Sequence, residues 1–86
     1  MNTELYQLAT NQWGVDAQLT VAIEELSELA KEICKAKREI GNIENIAEEV
    51  ADVEIMCEQL RFIFGIDSEV DAWKEFKLKR LANNLK

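Results

Sequence analysis

Apolar residues recur along this chain at intervals of three and four, with no strand-like alternation, which is the signature of amphipathic helices. Residues 4–13 carry Leu5, Tyr6, Leu8, Ala9 and Trp13 and predict a short first helix, ended by Gly14. Residues 17–39 carry the strongest pattern. Leu19, Ala22, Ile23, Leu26, Leu29, Ala30 and Ile33 form one stripe expected to face the core, with Asp16 as N-cap. Lys31, Lys35, Lys37 and Arg38 follow where cations suit a helix C-terminus. Gly41 is expected to close the helix as a left-handed cap, and the short connection returns the next helix antiparallel.

That next helix spans 43–64 with Asn42 as N-cap. Its main stripe is Ile43, Ile46, Val50, Val53, Cys57, Leu60 and Phe64. Ile55, Met56, Phe62 and Ile63 are apolar on other faces, as in a central bundle helix or one at a subunit interface. Glu54 falls inside the main stripe and suits a polar group at such an interface. Gly65 stops the helix. Asp67 is expected to cap the last, about 68–84, with Glu69 and Asp71 in its first turn. Its stripe of Val70, Trp73, Phe76, Leu81 and Leu85 is interrupted by Lys77 and Arg80. The fold class is therefore all-α: a single domain over 1–86, a bundle of about four helices with two long antiparallel ones.

Size and charge narrow the partners. A domain of 86 residues buries only about 60% of its unfolded surface, so self-association is expected to supply missing stability. With 48% apolar residues there is material for both a core and an interface. The net charge of −7 argues against a nucleic-acid polymer or an anionic membrane as partner and leaves divalent cations. No signal peptide and no membrane-length apolar run are visible. Cys34 and Cys57 match no zinc or redox spacing and read as free thiols of a reducing, cytoplasmic compartment.

The candidate chemistry lies in a pattern written twice. Ile23-Glu24-Glu25-Leu26-Ser27-Glu28-Leu29 and Ala47-Glu48-Glu49-Val50-Ala51-Asp52-Val53 each read apolar, acid, acid, apolar, small, acid, apolar, 24 residues apart. Positions three apart share a helix face, so Glu25 projects with Glu28, and Glu49 with Asp52. On neighbouring helices four carboxylates converge, a repulsive arrangement that a cation makes worth keeping. Glu25 lies about 100° from the centre of its helix's apolar stripe and Glu28 about 160°, so the acids begin at the stripe's edge and run outward. Oxygen ligands suit Mg²⁺, with Mn²⁺ as substitute. The absence of His argues against di-iron and zinc sites. Magnesium held by carboxylates keeps positions for water and phosphate, which points to phosphoryl or nucleotidyl chemistry.

The order E-E-x-x-E followed by E-x-x-D, here Glu24-Glu25-Leu26-Ser27-Glu28 and Glu49-Val50-Ala51-Asp52, resembles the signature of the MazG-like all-α nucleoside triphosphate pyrophosphohydrolases. Trp13-Gly14, Gln18 and Phe76-Lys77-Leu78-Lys79-Arg80 extend the resemblance over nearly the whole chain. It implies a helical bundle, assembled as a homodimer or homotetramer, that binds Mg²⁺ through Glu25, Glu28, Glu49 and Asp52. The implied reaction splits a nucleoside triphosphate between the α and β phosphates, giving monophosphate and pyrophosphate. Glu24 and Glu48 are the candidate general bases, although both angle away from the core. Lys77 and Arg80, with Lys31, are candidates for the phosphates, against the simpler reading of cations snorkelling from a core edge or paired within their helix. Trp13 and Gln18 are candidates for stacking and reading the base. Two rival readings remain at this level: an enzyme acting on phosphoribosyl-ATP, and a non-catalytic acidic helical module for oligomerisation or partner binding.

Overall fold

The computed structural model describes residues 1–86 as four helices without a strand: α1 (Thr3–Trp13), α2 (Val15–Lys37), α3 (Ile43–Phe64) and α4 (Asp67–Asn84). No helix is long and apolar enough to cross a membrane. Asn42 caps α3 as its sequence position requires, its side chain accepting from the backbone N–H groups of Glu44 at 2.8 Å and Asn45 at 3.2 Å. Gly65 ends α3 in the left-handed region at φ 62°.

Three expected caps sit differently. α2 begins at Val15, directly after Gly14 at φ 85°, so Asp16 lies within the first turn, where its charge still favours the helix dipole. α2 ends at Lys37, and the left-handed residue behind it is Glu39 at φ 60°, not Gly41. Ile40 N–H donates to Lys35 C=O and Glu39 N–H to Ala36 C=O, the paired bonds of a Schellman motif. Gly41 serves close approach instead: a Cβ there would stand 2.9 Å from the Ala36 Cα. α4 starts at Asp67 itself, after Ile66. The Asp67 carboxylate is drawn away from capping by Arg61, whose Nη1 donates to Asp67 Oδ1 and Asp71 Oδ1, each at 2.8 Å. These two acids hold the guanidinium above its ordinary pKa, and Arg61 in turn lowers that of Asp71.

The main packing is the antiparallel α2–α3 hairpin. The residues withdrawn from solvent include Gln18, Ala22, Glu25, Leu29 and Glu32 on α2, and Ile46, Glu49, Val53, Met56, Leu60 and Ile63 on α3. Both sets alternate steps of three and four, the spacing of a coiled-coil seam. The seam is rotated from the expected core stripe of α2 toward its acidic side. Leu19, Ala22 and Leu29 are shared, but Ile23, Leu26 and Ile33 stay 65%, 49% and 50% exposed. On α3, Ile43, Val50, Cys57 and Phe64 are likewise exposed while Met56 and Ile63 move inward. α1 closes one end of the hairpin through Tyr6, which is buried, lies 6.5 Å from the Phe62 ring and donates its hydroxyl to Glu58. Burial first, then the bond to Glu58 and its charge, push the Tyr6 hydroxyl up to about 12. α4 touches only α3, near the Gly65 turn.

Candidate metal centre

The hairpin brings Glu25 of α2 against Glu49 and Asp52 of α3. One oxygen of each carboxylate lies within 4.8 Å of the other two. All three residues are half-buried. The seven-residue seam repeat puts Glu25 and Glu49 on the packed faces, and Asp52 follows Glu49 by one turn, so the register that builds the hairpin also builds the triad. Withdrawal from water, followed by the close approach of the Glu49 and Asp52 carboxylates, raises the Glu25 carboxyl to about 7. Near neutrality the triad thus holds a proton where a cation would relieve the same repulsion.

The donors fit a hard cation. Glu25 Oε2 and Glu49 Oε2 are buried without a hydrogen-bond partner in the protein. Buried carboxylate oxygens normally have partners, and a divalent ion satisfies several at once. Glu25, Glu49 and Asp52 are the residues that would hold it.

The other sequence candidates are placed unevenly. Glu28 stands outside the triad with an exposed side chain, one turn beyond Glu25. Glu24 and Glu48 are exposed. Lys31 is exposed and forms no ion pair, whereas Lys35 pairs with Glu32 at 3.6 Å. Lys77 and Arg80 are not brought to the triad within the chain, because α4 reaches only α3. Each lies over an aromatic ring of its own helix, Lys77 Nζ at 6.0 Å from Trp73 and Arg80 Cζ at 6.0 Å from Phe76. Trp13 is largely exposed at the end of α1, while Gln18 is buried in the seam. The structure therefore gives the two candidate base-binding residues opposite environments.

Two further polar groups lie in the seam, Glu32, which the sequence places on the acidic side of α2, and Gln59, which the sequence reading left unassigned. Glu32 is buried with Oε2 unpartnered, and Gln59 Oε1 is likewise buried without a partner. The signal was the seven-residue interval of Gln18, Glu25 and Glu32, which marks one face of α2 as packed and polar together. No family model, no curated protein and no solved structure matches the chain.

Proposed function

We propose that the chain is a Mg²⁺-dependent nucleoside triphosphate pyrophosphohydrolase that works as a homo-oligomer. The observation that carries this reading is the triad of Glu25, Glu49 and Asp52 on two packed helices, with two buried carboxylate oxygens that no protein group satisfies. The duplicated acidic pattern, which resembles that of the MazG-like enzymes, supports the same assignment. Mn²⁺ is the expected substitute for Mg²⁺.

Bound Mg²⁺ supplies Lewis acidity and reverses the sign of an acidic site that would otherwise repel a triphosphate. The chain's own groups do the rest. Glu25, Glu49 and Asp52 hold the ion, with Glu28 at the exposed edge of the cluster. Glu24 or Glu48, free of ion pairs and open to water, takes the proton of the attacking water. Lys77 and Arg80, with Lys31, bind phosphate oxygens, Arg80 bidentately and the lysines as point charges. Because α4 touches only α3 of its own chain, these α4 cations belong to the site of a neighbouring copy. Trp13 offers an exposed ring for the base, and Gln18 an amide held in place by burial.

The test is turnover of the ribo- and deoxyribonucleoside triphosphates with Mg²⁺, products being resolved by chromatography. Monophosphate and pyrophosphate are expected. Release of orthophosphate would overturn the bond assignment. Inert triphosphates beside turnover of phosphoribosyl-ATP would move the substrate, and no turnover at all would leave the acidic helical module.

A further inference from the structure

We infer that the seam layer of Gln18 and Gln59 reads the base of the nucleotide, and that it takes a base whose pairing edge sets an exocyclic amino group beside a bare ring nitrogen, as in cytosine and adenine. The inference rests on the reading of the triad as a Mg²⁺–nucleotide site and extends it to the base. Gln18 stands seven residues before Glu25 on α2, and Gln59 seven residues after Asp52 on α3. In an antiparallel pair, equal steps in opposite directions along the chain keep the same faces opposed. The packing that sets Glu25 against Asp52 therefore sets Gln18 against Gln59, two helical turns away, about 10 Å along the axis. A ribose and a base extend that far from an α-phosphate held at the triad.

Neither amide is accounted for by the fold. Gln18 is only 6% exposed, yet its side chain makes no hydrogen bond to any group of the chain. Gln59 Oε1 is buried and equally without a partner. Buried amides of a finished core pair with backbone groups or with one another. Two opposed amides that do neither leave hydrogen bonds for a ligand. The layer also has a cover. α1 lies over this end of the hairpin, where Tyr6 packs on Phe62 and donates to Glu58, the neighbour of Gln59. Tyr6 is the only buried residue of α1. α1 joins α2 through Gly14 at φ 85°, where a Cβ would meet nothing, so glycine is there for its backbone freedom. A swing about Gly14 lifts that one side chain and opens the layer.

The orphaned atom sets the class of base. Gln59 Oε1 accepts and cannot donate, so it needs an N–H. An exocyclic amino group supplies one, and the bare ring nitrogen beside it accepts from the Gln18 amide. Side-chain amides read base edges in this two-point way. Uracil, guanine and hypoxanthine instead present a carbonyl oxygen beside a protonated nitrogen, which sets oxygen against the oxygen of Gln59.

The experiment compares nucleotides that differ at that edge: CTP with UTP and ATP with ITP for turnover with Mg²⁺, and CMP with UMP for binding by calorimetry. The amino member of each pair should be favoured at least about ten-fold, in kcat/KM and in affinity. Gln59→Met keeps the length of the side chain and deletes the acceptor. It should bring these ratios to within about two-fold of unity while the circular dichroism stays helical. A layer that only packs α2 on α3 would instead melt higher with Gln59→Met and leave the ratios unmoved, and that result overturns the inference. So does a parent chain indifferent to the amino group, which needs no variant to fold. Turnover that ignores the base would sink the base site and leave the pyrophosphohydrolase reading standing. CMP bound over UMP through Gln59, with no triphosphate turned over, would do the reverse. The absence of both turnover and binding overturns both.

Discussion

At the scale of single residues, a cation at the proposed site would compete with the proton that the triad holds. Glu25 is raised to about 7 in the fold against 4.5 for the unperturbed group. Between those values the folded chain binds more protons than the unfolded one, so its stability falls as pH rises from about 4.5 to about 7. Above that window the carboxylates repel without relief unless a cation is present. Thermal melts in chelator should therefore show a midpoint that drops across this interval, and added Mg²⁺ should raise it more at pH 8 than at pH 5. A pH-independent gain from Mg²⁺ would separate the ion from the triad. Glu49→Gln and Asp52→Asn keep shape but replace a Mg²⁺ ligand with a poor one. Each should remove most turnover while the circular dichroism stays helical, and without metal each should melt at or above the parent. Retained turnover in both would show the ligand assignment to be wrong. Of this site the sequence displayed the acids and their pairing in threes. Which acids converge depends on how α2 rolls against α3, and that roll places Glu25 against Glu49 and Asp52 while leaving Glu28 at the rim.

At the scale of the elements, the helix spans were legible because caps and breakers are local. Asn42, Gly65 and the absence of Pro act within a turn of themselves, and α3 runs over the expected residues 43–64. The roll of the helices was not legible, because the apolar stripe is satisfied equally well by this chain or by another. The seam instead follows Gln18, Glu25 and Glu32, polar groups that periodicity assigns to the surface. Nor could composition show that Tyr6 would tie α1 to Glu58, or Arg61 would tie α3 to Asp67 and Asp71, since each bond joins separate helices. The α2 terminus offers a clean test of local reasoning. Glu39 occupies a left-handed position that costs a side-chain-bearing residue about 1 kcal/mol, and its carboxylate makes no hydrogen bond or ion pair. Glu39→Gly should stabilise the chain by about 0.5–1 kcal/mol, seen as a midpoint higher by roughly 4 °C. Gly41→Ala should do the opposite, because its methyl would press on the Ala36 backbone.

At the scale of the whole molecule, charge is divided unevenly. Residues 73–86 hold five of the ten cations and one of the 17 acids, so this stretch carries +4 while the remainder carries −11. α4 therefore offers the cations that the proposed triphosphate site would need, yet in its own chain it reaches only α3. Opposite fields of this size favour α4 of one copy approaching the acidic body of another. Lys77→Met keeps the aliphatic stem over Trp73 and deletes the charge. If Lys77 binds phosphate, KM should rise or kcat fall clearly with folding unchanged, and unchanged kinetics would leave it as a cation lying over a ring. A mixing experiment then separates a site built within one chain from a site shared between two. Chains carrying Lys77→Met and chains carrying Asp52→Asn, each weakened alone, are unfolded together and refolded in equal amounts. In a two-fold dimer with shared sites, half of the assemblies are mixed, and each has one site combining an intact triad with an intact α4, so activity should return to about a quarter of the parent. Within-chain sites would give only the average of the two weakened parents. That average, measured in a sample shown by mass spectrometry to contain mixed assemblies, would place Lys77 and the triad of one chain in the same site and end the shared arrangement.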